Sequence, residues 1–252
     1  MKYFFTSLLL ICFTVSQGQR RDSTSQIKTG FICQFTYNLN FPGADLAKRY
    51  SAGSTIGSGV YFKTGKNWIF GVEGMYWFGG KLRENGIFDA IVDSNGNALD
   101  INGSSVQIAA QQRGYSLAAK VGKIIPVGRN KNSGIMLSAS VGYMEHYLRL
   151  ANNTRDIPAF EGDLKFGYDR LTSGWMTKEF VGWQNLDRRN RINFFVGLEF
   201  GQGYTYSRRK IDFDLMKGQT GQRLDLYYGI RIGWLLPIYT GVASNGGGYR
   251  FK

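Results

Sequence analysis

The feature that most constrains this chain is a strict two-residue alternation near its C-terminus. Leu224, Leu226, Tyr228, Ile230, Ile232, Trp234 and Leu236 interleave with Arg223, Asp225, Tyr227, Gly229, Arg231, Gly233 and Leu235. Successive side chains of a β-strand point to opposite faces, so this segment separates an oily face from a mostly polar one only if it is extended. The same period recurs at 27–39, 68–79 and 192–204, and more weakly at 54–63, 108–123 and 135–147. Segment 172–184 fits as a further strand with one ambiguity, because the adjacent Lys178 and Glu179 put a charge on each face.

Eight candidate strands are an even number, as a closed bacterial barrel with both termini on one side requires. The connections alternate in length: short at 64–67, 126–132 and 186–190, long at 40–53, 80–107, 150–171 and 207–221. Outer-membrane barrels show this rotation, with short periplasmic turns and long external loops. Aromatic residues stand at both ends of the oily faces, as at Trp68 and Phe78, which matches the two interfacial girdles of such barrels. The pattern predicts an all-β fold, an eight-stranded antiparallel transmembrane up-and-down β-barrel of outer-membrane type. A soluble sandwich or lipocalin-like barrel also alternates, but it would turn the oily face inward and leave charge and glycine outside.

The N-terminus fits export. Lys2 precedes an apolar run from Leu8 to Phe13, and Ser16-Gln17-Gly18 offers small residues for cleavage, the pattern of a signal peptide. The run is too short to span a membrane as a helix, which takes ~20 apolar residues. A lipoprotein signal at Cys12 lacks the small residue expected before a lipidated cysteine. The expected division is therefore a signal peptide at 1–18, a barrel at 19–238 and a flexible periplasmic tail at 239–252. That places the chain in the cell outer membrane, with both termini periplasmic. The mature chain keeps Cys33 as a lone cysteine and His146 as its one histidine, too little for a disulfide or a Cys/His metal site. Neither a metal nor a cofactor is expected. Net charge is +13, of which the signal carries one positive charge. Such an excess favours anionic neighbours: outer-membrane lipids, lipopolysaccharide or an acidic protein. No nucleic-acid-binding motif accompanies it.

The strand parities place Glu73, Lys120, Glu199, Arg223, Asp225 and Arg231 in the lumen. An eight-stranded barrel is only wide enough for its own side chains, so these charges are expected to pair as a plug, with Glu73 and Glu199 against Arg231. Cys33 falls on the oily face as a small apolar residue. Catalysis finds little footing. Glu145 and His146 are neighbours on one strand and therefore face opposite ways. There is no G-x-S-x-G elbow, and the paired glycines Gly57/Gly59 and Gly201/Gly203 lack the rest of a nucleotide loop. The acidic stretch from Asp93 to Asp100 lacks the spacing and closing Glu of a calcium loop and reads as a solvated turn.

Loops offer better candidates. In 150–171, Phe160, Tyr168 and Arg170 have the composition of protein-interface residues. Arg208, Arg209 and Lys210 could pair with lipid phosphates at the outer surface, and Arg188, Arg189 and Arg191 form a similar patch on the inner side. The segment from Tyr227 to Trp234 resembles the β-signal of the barrel-assembly machinery, with Ile232 where an aromatic is preferred. Four stretches, 41–50, 65–79, 167–175 and 223–239, resemble a small outer-membrane barrel family of Bacteroidota. That resemblance carries no catalytic motif. It implies, by analogy, an accessory barrel of type IX protein secretion or gliding. The expected role is a non-enzymatic anchor or accessory subunit of an outer-membrane protein complex. The alternatives are a narrow pore or hydrophobic-ligand channel and, behind it, a lipid-modifying enzyme.

Overall fold

A computed structural model describes residues 27–151, 157–187 and 192–242. Eight long strands make the wall: β1 (Lys28–Gly43), β2 (Gly53–Lys63), β3 (Trp68–Lys81), β6 (Ala109–Pro126), β7 (Gly134–Ala151), β8 (Thr172–Asn185), β9 (Phe194–Ser207) and β10 (Arg223–Val242). A six-residue helix, α1 (Ala44–Arg49), and a small hairpin of β4 (Asn97–Leu99) and β5 (Ser105–Gln107) decorate the connections. All wall pairings are antiparallel, and the ring closes in the order β1-β10-β9-β8-β7-β6-β3-β2. Closure removes the edges of the wall, which is what lets its strands cross a bilayer with their backbone groups satisfied. The expected signal peptide, the arginines at 188, 189 and 191, and the last ten residues lie outside the described residues.

The alternation becomes two surfaces. Phe31, Phe35, Ile56, Val60, Phe70, Val72, Leu117, Val141, Val181, Leu198, Ile230 and Ile232 face outward and are exposed. Trp68, Trp183, Phe194 and Trp234 girdle the end with short turns, while Tyr37, Tyr76, Tyr115, Tyr143, Trp175 and Tyr204 girdle the end with long loops. An apolar band between two aromatic rows is the surface of a membrane-spanning barrel. A soluble barrel would bury those side chains.

Several strand boundaries shift from the sequence reading, those of β10 and β9 among them. β10 continues to Val242, so residues 239–242 are strand and not tail; they pair with the start of β1, across a register shift between Thr29 and Gly30. Pro237 is tolerated there because β9 pairing stops at Trp234, leaving β10 with β1 alone as partner. β9 begins at Phe194, two residues later than expected, while the carbonyl of Asn193 accepts the Leu235 amide. Strand β8 is resolved by its neighbours: Lys178 turns inward and Glu179 outward.

Candidate functional site

The interior is stacked in three layers. At the short-turn end Ile32, Tyr61, Ile69, Ile124, Met136, Phe180, Phe195 and Leu235 form an apolar floor. At the other end Leu46, Tyr50, Trp77, Ile87, Met144, Leu148, Tyr168, Met176 and Tyr227 form an apolar ceiling. Polar strand positions between them meet in a charged layer. Glu73 Oε2 accepts from Arg231 Nη2 at 2.8 Å and Gln34 Nε2 at 2.9 Å, with Lys120 Nζ at 3.5 Å. Its Oε1 accepts from Lys178 and, at 3.3 Å, from Arg231 Nη1. Arg231 Nη1 also donates to Glu199 Oε2, and Asn38 Nδ2 and the Tyr227 hydroxyl reach Glu199 Oε1 at 2.9 and 3.3 Å. Every one of these charges is 5% exposed or less, so the layer excludes bulk water. Glycines make the room: a Cβ on Gly201 would lie inside the Tyr227 ring, and one on Gly229 would strike the Asn38 amide.

Arg223 and Asp225 stand apart from that layer. Asp225 Oδ2 lies 3.0 Å from His146 Nε2 and accepts from Thr205 Oγ1 at 2.5 Å, while Arg223 bridges Asp225 Oδ1 (3.4 Å) and the Asp45 carbonyl (3.0 Å). His146 is fully buried with its ring edge against Tyr50, and its sequence neighbour Glu145 faces the other way. A His–Asp–Thr row invites a nucleophile reading, but His146, Asp225 and Thr205 are all 0% exposed, so no substrate reaches them.

Above the ceiling, two arginines lace all four long connections. Arg49 of α1 donates to Glu84 Oε2 (2.9 Å), Thr172 Oγ1 (3.1 Å) and Gln219 Oε1 (3.1 Å). Arg170 contacts Glu84 Oε1 (3.3 Å), Asp214 Oδ2 (2.5 Å) and Asp212 Oδ2 (2.8 Å). Burial works against the Arg170 charge, but Asp214, Asp212 and Glu84 outweigh it and raise its pKa. Burial pushes the Asp212 carboxyl up, against the pull of Arg170. An aromatic knot of Phe88, Phe160, Tyr168 and Phe213 ties three of the same connections together.

These contacts correct the expectation for the 150–171 loop. Tyr168 and Arg170 are buried in the cap, at 6% and 2% exposure, and Phe160 packs against both Phe88 and Tyr168. Tyr168 and Arg170 hold the cap together and are not available as anchors for a partner, while Phe160 is half-buried against Tyr168. Arg209 is half-occupied too: it pairs with Asp169 and stacks over Phe166 at 4.4 Å. Arg208 reaches Ser173 Oγ at 2.6 Å through Nε, and both it and Lys210 are exposed. Asp93 and Asp100 accept amide hydrogens of their own turns at 2.7–3.0 Å, from residues 95, 97, 102 and 104.

Sequence reading missed Gln34, Asn38 and Lys178 as members of the charged layer, and missed the Arg49–Glu84–Arg170 lacing altogether. Strand parity could have found Gln34 and Asn38, but not Lys178, whose neighbour Glu179 is also charged. The second depends on loop conformations that carry no period.

Fold and surface together define an eight-stranded transmembrane barrel of the outer-membrane class, with a filled interior and a closed mouth. No known protein-family pattern and no curated protein sequence matches the chain. Among solved structures, it is similar to Ail of Yersinia pestis in complex with sucrose octasulfate (11% identity, 83% of this chain and 99% of that one, TM-score 0.43). It is also similar to neisserial surface protein A (10%, 81% and 96%, TM-score 0.43) and to OprG of Pseudomonas aeruginosa (12%, 85% and 99%, TM-score 0.41).

Proposed function

We propose that this chain is a non-enzymatic outer-membrane barrel that anchors or assists a larger protein complex, with its long loops outside and both termini in the periplasm. One observation carries the reading. The lumen and its mouth are filled by the protein's own side chains, while Ile211, Leu215 and Met216 of one long loop project from the cap at 52%, 43% and 81% exposure. Three exposed apolar side chains within six residues of one outer loop offer a surface that a protein partner can cover. Met216 is also held at a φ of 52°, a conformation a non-glycine residue adopts only when its surroundings enforce it. A filled lumen argues against the channel alternative. Exposed Arg208 and Lys210 beside this loop suit lipopolysaccharide phosphates.

The test is purification from native membranes in mild detergent. Replacing Ile211, Leu215 and Met216 together by Ser is expected to release co-purifying subunits while the barrel stays folded; unchanged recovery refutes this surface. Ion conductance by the isolated protein in planar bilayers would refute the plug. Assignment to type IX secretion rests on the sequence resemblance alone. Normal export of surface proteins in a gene-deletion strain would remove it.

A further inference from the structure

The outward face of the wall carries one feature the lipid cannot accommodate. Glu179 of β8 is exposed on the membrane side, four residues from Trp175 in one aromatic row and four from Trp183 in the other. Its carboxylate therefore sits near mid-bilayer, where an ionised side chain is costly and marks function. Glu179 makes no hydrogen bond or ion pair among the described residues. It opens onto a groove of about 810 Å³ lined by Val121, Ala139, Val181, Leu198 and Phe200, with Lys123 and Trp68 at its girdle end. Ala139 is its direct neighbour across β7, so the wall is shallow beside the carboxylate. Thr177 and Gln202, one step along the same face, add hydrogen-bonding groups.

We propose that this groove docks another outer-membrane protein, one presenting a lysine or arginine at the depth of Glu179. The inference rests on the accessory-subunit reading and adds a second, intramembrane contact to it. Charge complementarity selects the occupant. Lipid offers hydrocarbon at this depth and phosphate at the surface, and neither balances a carboxylate. A second copy of the chain fares no better. In two copies side by side in one membrane, residues meet at equal depth. Lys123 borders the same groove but rests on Trp68 in one girdle, 5.0 Å from its ring centre and away from the depth of Glu179, while Arg113 and Arg149 flank Tyr147 at the opposite end. A copy facing its twin would set Glu179 against Glu179.

The experiment uses the full-length protein in its native host. A benzophenone side chain is placed at position 181, beside the groove, or at position 60 of β2, across the ring. Illumination is expected to give one discrete adduct from 181 and none from 60. Glu179→Leu and Glu179→Gln should each reduce that adduct about tenfold, and Glu179→Asp should retain it. Glu179→Lys combined with an acidic replacement of the crosslinked partner's Lys or Arg should restore it. Meanwhile purified Glu179→Leu in phosphatidylcholine vesicles should unfold at a higher urea concentration than wild type, showing that the carboxylate does not serve the fold. An adduct of twice the chain mass overturns the proposal in favour of self-association, and an adduct indifferent to Glu179 overturns it too. If 181 gives no adduct while subunits still co-purify through the outer loop, the groove is wrong and the accessory reading stands. If nothing co-purifies at all, both fall.

Discussion

Arg231→Met tests the charged layer most directly. The guanidinium is 1% exposed and joins Glu73, through bonds of 3.3 and 2.8 Å, to Glu199. Without it Glu73 keeps Lys178 and Lys120. Glu199 is left with two neutral donors, Asn38 at 2.9 Å and Tyr227 at 3.3 Å, and becomes a stranded buried carboxylate. Breaking a buried pair from one side costs ~3–5 kcal/mol because the abandoned charge stays behind. The same logic predicts a change of sign. Glu199→Gln destabilises the wild type by depriving Arg231 of a partner, yet it should stabilise the Arg231→Met protein by neutralising the stranded group. The coupling between the two sites is expected at about 0.5–3 kcal/mol. Urea unfolding in lipid vesicles, followed by tryptophan fluorescence, measures all four proteins. An Arg231→Met protein within ~0.5 kcal/mol of wild type, the range of an ordinary surface substitution, would falsify the dry-plug account. So would a Glu199→Gln effect that is equal in both backgrounds, since it would mean that water had filled the gap.

Three further outcomes follow from other parts of the molecule. Ile230→Arg, on the lipid face, should cost roughly 2–4 kcal/mol in the same assay; no loss would mean the oily face does not meet lipid. Arg170→Ala should free the Asp212 and Asp214 carboxylates, leave Glu84 with Arg49 alone, and expose the 208–222 loop to limited proteolysis, while the folded, unboiled gel mobility of the barrel is unchanged. A loop still resistant to protease would show that the aromatic knot suffices. Asp45 is held below its ordinary carboxylate pKa by Lys48 and by the Leu224 amide, so its strap from α1 to β10 is intact at neutral pH and is lost as pH falls through its lowered folded pKa. The effect is at most ~1 kcal/mol for this partly exposed pair. Urea midpoints of wild type and Asp45→Asn should converge below pH 4 and differ at pH 7; a constant gap refutes the linkage.

The wall was readable because its physics is periodic. In β10 each inward Asp225, Arg231 or Gly233 alternates with an outward Leu224, Ile230 or Trp234, and the same rule recovers the other strands within a few residues. β8 resisted because Lys178 and Glu179 are adjacent charges. Only the contact between Lys178 and Glu73, which lies 105 residues earlier, decides which of them is inside. The cap was opaque for a different reason. Phe160, Tyr168 and Arg170 have the composition of interface residues, and nothing local distinguishes an aromatic that meets a partner from one that packs on Phe88 or Phe213. α1 hides in the same way, since six residues are too few to show a helical period.

The seam between β1 and β10 also sets the order of events in biogenesis. Lys28 pairs with Val242 and Gly43 with Leu226, so the first strand delivered waits for the last. Other neighbours in the wall are joined by hairpin-like connections and can meet early, but the cylinder cannot shut until the C-terminal strand arrives. Closing contacts of such long sequence separation is slow. For that interval the unpaired edges of β1 and of the growing sheet are exposed and prone to misassociate. A chain cut short before Arg223 would lack the seam entirely and should accumulate as unfolded, protease-sensitive material, whereas loss of residues within a long loop leaves the seam able to form.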